Sequence, residues 1–235
     1  MNLLVVTGGR HPYEESTPIL AELLKQNGHE VRVTEDPSVL VTDAMQDYDA
    51  LVFNTRREQE ITLAQEQQVA LTQFVGGGKG FVCLHISGCR PESWPEYHDV
   101  TGGGWISGES CHPPYGQFSV KVSESDHPCA QGIEDFVTND ELYIQLGWKP
   151  GNNVFLTAEL EEGTHVFAGH SMFMAGGTYP MAWTRNYGNG KVFKTTLGHN
   201  GLSFQTPEFQ RLVLNGVARA TSGGWYPRSI HLRAR

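Results

Sequence analysis

The chain has 235 residues, of which 39% are hydrophobic and 18% are charged, a composition typical of one folded domain and not of a disordered or fibrous protein. Its net charge of -9 argues against a nucleic-acid surface, which needs clustered Lys and Arg. The sequence has neither a signal-peptide pattern at its start nor a membrane-length apolar run, so we expect a soluble, cytoplasmic protein whose four cysteines stay reduced.

The first 85 residues alternate apolar strands with amphipathic helices. The predicted strands cover residues 3–6, 30–34, 50–54 and 81–84. The last of these lies between a glycine run and Ser87-Gly88, and its apolar residues fit a strand buried on both faces. This alternation predicts a doubly wound parallel sheet.

The two helices between these strands have recognisable ends. The first is predicted to begin with Ser16 or Thr17 as its cap and to end at Gly28. Thr62 and Gln65 are predicted to form a capping box that opens the second helix. The buried face of the second helix is expected to include Val69, Phe74 and Val75.

The second half of the chain departs from this alternation. Strands are predicted at 115–122 and 155–159, and a hairpin joins 181–186 to 191–196 through Tyr187-Gly188-Asn189-Gly190. A closing amphipathic helix follows a cap at Thr206. The predicted fold is therefore α/β: a single domain over residues 1–222 with a doubly wound, mostly parallel sheet and added antiparallel strands. Residues 223–235 are predicted to be a solvated tail.

Three histidines, His11, His85 and His199, each follow a predicted strand. One such histidine is more often structural, but ligands in open α/β sheets bind outside the carboxyl ends of the strands, so three together favour a functional site. His112 lies on a glycine-rich loop and is a fourth candidate. Histidine acts as a general base near neutral pH and also binds divalent metal ions, although no motif with diagnostic metal-ligand spacing is present.

Two carboxylates and a phenol stand together in Asp140-Glu141-Leu142-Tyr143. The segment is either a turn with a solvated carboxylate or, if Glu141 points inward, a group that orients a histidine, binds a metal or contacts sugar hydroxyls. Aromatic residues near the histidine loops either stack on a sugar ring or serve as packing; these are Trp94, Tyr97 and Trp105. Residues 165–174, rich in His and Met, are predicted to form a loop over or beside the crevice, and copper capture there stays open.

Motifs along nearly the whole chain resemble the ThuA-like (trehalose utilisation) family. They are Val5-Val6-Thr7-Gly8 with His11, the run from 74 to 85, His112-Pro113, Asp126-His127-Pro128, Asp140-Glu141-Leu142-Tyr143, and residues 180–199. The resemblance implies a class I glutamine amidotransferase-like fold and a role in carbohydrate catabolism, in pathways where a dehydrogenase first produces a 3-keto-sugar.

The resemblance also places two residues. His85 falls where amidotransferases carry their nucleophilic cysteine, and His199 falls where they carry the triad histidine. The cysteine of amidotransferases stands at the elbow where a strand turns into a helix, and here that elbow carries His85. With Asn200-Gly201 where Pro-Glu would complete the triad, glutamine hydrolysis by a thiol is not expected. A thiol enzyme that uses Cys83 or Cys89 is the weakest alternative, because buried thiols are usually inert.

The resulting hypothesis is an enzyme that acts on 3-keto-sugars or 3-keto-glycosides such as 3-keto-trehalose, by hydrolysis, elimination or isomerisation. The predicted catalytic residues are His85, His199 and Glu141. The predicted substrate-binding residues are His11, Tyr143, Trp105 and Asp140. The predicted ligands of a zinc or manganese ion are His85, His112 and His199, and no other cofactor is expected. A non-catalytic sugar-binding or regulatory protein is the alternative. The expected partner is a small sugar, without nucleic acid or membrane, and a homo-oligomer is one option.

Overall fold

A computed structural model describes residues 1–221 of the chain. The predicted tail, with Arg228, Arg233 and Arg235, lies outside the described residues. Within residues 1–221, no helix is both long enough and apolar enough to cross a membrane.

Thirteen strands and five α-helices are present in the described part of the chain. The strands are β1 (Asn2–Gly9), β2 (Glu30–Thr34), β3 (Ala50–Arg56), β4 (Gly80–Leu84), β5 (Gly103–Gly104), β6 (Gly116–Val122), β7 (Phe136–Asp140), β8 (Gly147–Trp148), β9 (Asn153–Leu160), β10 (Gly163–Phe167), β11 (His170–Met174), β12 (Gly177–Tyr187) and β13 (Gly190–Thr195). The helices are α1 (Tyr13–Gln26), α2 (Gln65–Gly76), α3 (Tyr97–Thr101), α4 (Gly201–Gln205) and α5 (Pro207–Thr221).

Nine of the strands form one mixed sheet in the order β2-β1-β3-β4-β13-β12-β9-β6-β7. The first five are parallel to one another, and the antiparallel hairpin of β13 and β12 carries the sheet into its antiparallel half. The predicted α/β fold with a parallel core and added antiparallel strands is therefore confirmed. Because β1, β3, β4 and β13 are parallel, their carboxyl ends lie at one edge of the sheet.

The parallel strands are buried on both faces because helices cover both sides. On β1, Leu3 and Val5 pack in a core that contains residues of α1 and α5, whereas Leu4 and Val6 pack in a second core with residues of α2. Adjacent side chains of a strand point to opposite faces, so an unbroken apolar run is what such a sheet requires.

Helix α1 begins earlier than the sequence pattern predicted. Tyr13 opens it directly after Pro12, so Ser16 and Thr17 lie inside the helix and are not its cap. Both are buried and bond to neighbouring strands: Thr17 Oγ1 lies 2.7 Å from Thr7 Oγ1, and the Asn54 amide donates to Ser16 Oγ over 3.0 Å. Their hydroxyls serve tertiary contacts, which a local capping rule does not detect.

The start of α2 also differs from the prediction. It begins at Gln65, and the Gln67 side chain accepts the Ala64 N–H over 2.9 Å, so Thr62 and Gln65 do not form the capping box. Val69, predicted to be buried, is 46% exposed, whereas Val75 is buried as predicted. The helical pattern identified the element but not its bounds.

Residues 165–174 form most of a two-stranded hairpin, β10 with β11, and not the predicted loop. Ala168 and Gly169 both adopt positive φ angles, +49° and +81°, which suit a two-residue hairpin turn. Val166 and Phe173 are exposed on this hairpin, while Phe167 is partly buried and packs towards the histidine residues described below.

Candidate functional site

The three strand-end histidines meet at the carboxyl edge of the parallel strands. His11 follows β1, His85 follows β4 directly, and His199 lies four residues beyond β13. The loop after the edge strand β7 brings Glu141 to the same place. His11, His85, Glu141 and His199 each offer one nitrogen or oxygen atom, and these atoms all lie within 4.8 Å of one another.

His85 has a backbone conformation that few residues other than glycine adopt. Its φ is +47°, at the point where β4 turns sharply into a short 3-10 helix at His85–Gly88. The imidazole Nδ1 lies 2.7 Å from the carbonyl oxygen of Thr196, and because a carbonyl can only accept, Nδ1 carries the proton. In the neutral ring, Nε2 therefore holds a free lone pair that faces the site.

The groups around this lone pair have fewer protons to donate than there are acceptor atoms to receive them. The Tyr143 hydroxyl lies 2.6 Å from His85 Nε2 and 3.0 Å from Glu141 Oε2, but it has one proton to give to one of them. The Nε2 of His11 lies 3.1 Å from the same His85 nitrogen. Such a cluster of acceptors is stabilised by an added proton or by a cation.

Glu141 points inward, so the alternative of a solvated carboxylate is not what the structure shows. Its side chain is 13% exposed, with Oε2 3.1 Å from His199 Nδ1 and 3.4 Å from His85 Nε2. Its Oε1 lies 3.4 Å from His112 Nε2. Burial by itself would raise the pKa of Glu141, but the His199 and His85 imidazoles outweigh burial and hold that pKa well below its usual range.

The histidines around Glu141 differ in their protonation. Burial, together with the charges that His85 and His199 can carry, lowers the pKa of His11 to about 3, so His11 is neutral at physiological pH. Burial opposes charge on His199 as well, but the Glu141 carboxylate outweighs it and raises the pKa of His199 above its ordinary value. The site therefore combines a neutral histidine with one that favours the protonated form.

Asp140 lies beneath the site and not on its surface, which corrects its predicted contact with substrate. It is 1% exposed, and its carboxylate accepts the backbone N–H groups of Gly198, Glu141 and His199 over 2.7, 2.9 and 3.3 Å. Burial raises its pKa, in opposition to the nearby His85 and these bonds. Asp140 thus fixes the backbone of two site residues.

Of the three aromatic residues for which sugar stacking and packing were both open, one borders the site. The ring centroid of Trp105 lies 4.7 Å from that of Tyr143 and 5.9 Å from that of His112. Trp94 and Tyr97 instead pack against each other in the core on the α2 side of the sheet. Phe167 of the β10–β11 hairpin, 5.0 Å from His112 and 6.1 Å from Trp105, completes an aromatic wall that the sequence did not reveal.

Two further residues of β13 and its end were missed. Thr196 contributes only its backbone carbonyl, so no sequence signal exists for it. Lys194 is 1% exposed, and its ammonium donates to the carbonyls of His85 and Thr195. A lysine within the apolar strand Lys191-Val192-Phe193-Lys194 was a signal for it, because lysine is rarely buried. Burial lowers the pKa of Lys194 to about 8.

The four cysteines are free thiols and all are buried. Burial raises the pKa of Cys83, and it raises the pKa of Cys89 and Cys129 to about 12. The Cys89 thiol donates to Glu58 Oε2 over 3.1 Å. Protonated, enclosed thiols are poor nucleophiles, so the structure does not favour the thiol alternative.

The donor set fits a divalent metal ion. Two ligand atoms about 2.05 Å from a tetrahedral zinc ion are about 3.3 Å apart. The His11–His85 pair and the His199–Glu141 pair are each separated by 3.1 Å. His199 Nδ1 is also buried without a hydrogen bond of normal geometry. Of the three predicted ligands, His85 and His199 belong to this set. His112 does not, because it lies against the other oxygen of Glu141, and His11 is the third histidine of the set.

The fold and site define an α/β domain with a mixed sheet and a histidine-carboxylate cluster at the carboxyl ends of its parallel strands, where related sheets bind ligands. The family model for ThuA, described as trehalose utilisation, matches residues 2–220. The chain therefore belongs to the ThuA family. The match indicates a role related to carbohydrates.

Solved structures share this fold at low sequence identity. A ThuA-like protein from Parabacteroides merdae is 19% identical with a TM-score of 0.72, and the alignment covers 97% of this chain and 93% of that one. A ThuA-like protein from Bacteroides uniformis is 17% identical with a TM-score of 0.70, covering 95% and 92%. A cytoplasmic protein from Salmonella typhimurium LT2 is 13% identical with a TM-score of 0.63, covering 94% and 100%. No curated protein matches the sequence.

Proposed function

We propose that this protein is a carbohydrate-catabolic enzyme that acts on 3-keto-sugars or 3-keto-glycosides, such as 3-keto-trehalose. The observation that carries the proposal is the convergence of His11, His85, His199 and Glu141 within 4.8 Å at the carboxyl edge of the sheet. A group of this kind supplies both acid and base to a bound substrate. Membership of a trehalose-utilisation family supports a sugar as that substrate.

A ketone at C3 makes such chemistry accessible to histidine. It acidifies the hydrogen on C2, so a base removes that proton and the charge moves to the C3 oxygen. The resulting enediolate expels the glycosidic oxygen from C1, which takes a proton as it leaves. Water then adds to C1 and a proton returns to C2, so the net reaction is hydrolysis. Positioned acid or base groups typically contribute about 10²- to 10⁴-fold each.

We assign these tasks to particular atoms of the site. His85 Nε2, whose lone pair faces the site, is the base that takes the C2 proton. His199, which Glu141 favours in its protonated form, is the acid for the leaving oxygen. The Tyr143 hydroxyl is placed to donate to the enediolate oxygen. Trp105 and Phe167 form the wall against which a sugar ring packs.

A zinc or manganese ion would be held by His11, His85, His199 and Glu141. When bound, it would supply positive charge that stabilises the enediolate. In that form the lone pairs of His85 Nε2 and of His199 would bind the ion, so the base and acid roles given above belong to the metal-free site. Metal content therefore distinguishes the two versions of the mechanism.

The test measures metal content by plasma mass spectrometry and turnover of 3-keto-trehalose, on untagged protein. Wild type is compared with His85→Ala and His199→Ala, and His170→Ala, at an exposed position of the β10–β11 hairpin, is the control. We expect turnover in wild type and control and its loss in both site variants. Near-stoichiometric metal that is lost in both variants selects the metal version. Saturable binding of sugar without turnover would instead identify a non-catalytic sugar-binding protein.

A further inference from the structure

A buried lysine lies directly beneath the elbow that carries His85. Lys194 is 1% exposed in the middle of the molecule, on the strand next to β4 in the sheet. Among residues 1–221, no carboxylate forms an ion pair with it; its ammonium donates to the carbonyls of His85 and Thr195 and lies 5.9 Å from the centre of the Trp183 ring. A buried charge without a counter-ion costs free energy, which the contacts of this ammonium have to offset.

The end of β13 holds His85 at two points. The Lys194 ammonium binds the His85 main-chain carbonyl, and the Thr196 carbonyl binds the His85 ring at Nδ1 over 2.7 Å. His85 needs such support, because its φ of +47° is unfavourable for a residue with a side chain. A neutral residue at position 194 would leave the carbonyl of this strained residue without its charged donor.

We propose that Lys194 is a positioning residue, whose ammonium holds the His85 backbone so that the imidazole keeps its bond to Thr196 and presents Nε2 to Glu141, His11 and Tyr143. The inference rests on the proposed function only in assigning a task to Nε2. The orientation itself is a structural property that can be measured without substrate or metal.

The first experiment replaces the ammonium with an uncharged chain of similar length, Lys194→Met. Nitrogen-15 NMR of histidine-labelled protein reports which ring nitrogen carries the proton, and His85→Gln assigns the His85 signals. In wild type we expect a single form protonated at Nδ1. In Lys194→Met we expect a mixture with the Nε2-protonated form, and kcat for 3-keto-trehalose about 10- to 100-fold lower with KM changed less than about twofold.

A second variant retains the lysine and moves it. A Cβ on Gly88 would lie 2.4 Å from Lys194 Cε and 3.1 Å from Nζ, and the φ of Gly88 is not positive, so Gly88→Ala displaces the ammonium without backbone strain. It should change the His85 tautomer in the same direction. Thr184→Val is the control, since it removes a buried hydrogen bond to His127 in the antiparallel half and should leave His85 unchanged.

The outcomes separate this inference from the proposed function. A folded Lys194→Met or Gly88→Ala protein that keeps a single Nδ1-protonated His85 overturns the positioning role, whatever the enzyme does. If Lys194→Met does not fold, Gly88→Ala decides. An altered tautomer in a protein whose wild type has no turnover supports the positioning role and refutes the proposed function.

Discussion

His127, a buried histidine that is not part of the site, allows a quantitative prediction about stability and pH. Its Nδ1 accepts the Cys129 N–H over 3.0 Å, so Nε2 carries the proton and donates to Thr184 Oγ1 over 3.0 Å. The ring stacks on Phe155 with centroids 4.1 Å apart. Burial, with a smaller effect of the Arg219 charge, lowers the pKa of His127 to about 4. A proton on Nδ1 would break the bond to Cys129.

The direction in which pH changes the stability follows from the pKa of His127 in the folded and unfolded states. In the unfolded chain the pKa is near 6.5, so between about pH 6.5 and pH 4 the unfolded state binds the proton and the folded state does not. The free energy of unfolding therefore falls as pH falls through this window. For one group with these two pKa values, the loss between pH 7.5 and pH 5.0 is about 2 kcal/mol.

The assay is urea unfolding of wild type and His127→Asn at pH 7.5 and pH 5.0. Asparagine supplies an oxygen close to the position of Nδ1 but does not titrate, so it retains the cap while it loses the stacking. We expect the variant to be less stable at both pH values, and its loss between them to be about 2 kcal/mol smaller than that of wild type. His170→Asn, on the exposed hairpin, should behave like wild type. Equal pH dependence in wild type and His127→Asn would refute the reasoning.

Three predictions concern the site and the thiols. Glu141→Gln removes the charge that faces three histidines. We expect a histidine NMR titration to show a lower pKa for His199, and we expect kcat/KM to drop about 100-fold or more. An unchanged His199 titration would contradict the assignment. Tyr143→Phe loses the hydroxyl near His85 Nε2, so kcat in a turnover assay should fall about 10-fold. The free energy of unfolding, measured in urea, should stay within about 1 kcal/mol of wild type. An undiminished kcat would remove Tyr143 from the mechanism. The four buried thiols should resist a thiol reagent in the native protein and all react in denaturant; rapid native labelling with loss of turnover would revive a thiol mechanism.

The local pattern predicted much of the parallel half of the fold. β2 has the predicted bounds, and β4, the hairpin of β12 and β13 and the closing helix α5 lie where the sequence pattern predicted them. These elements are governed by short-range rules: apolar runs between turn residues, a glycine-containing hairpin turn, and helical spacing of apolar residues. The errors, at the starts of α1 and α2, arose where Ser16, Thr17 and Thr62 offered capping chemistry that tertiary contacts or the neighbouring turn overrode.

The strand pattern also predicted which side chains stand at the strand ends, because a parallel sheet brings the residues after each strand to one edge. His11, His85 and His199 were found in this way. How these side chains face one another depends on long-range packing. That Glu141 points inward, that Asp140 lies beneath the site, and that Lys194 and the Thr196 carbonyl hold His85 depend on contacts between residues 56 to 111 positions apart. Such contacts follow from the packing of whole strands and loops, which the spacing of residues within a short segment does not reveal.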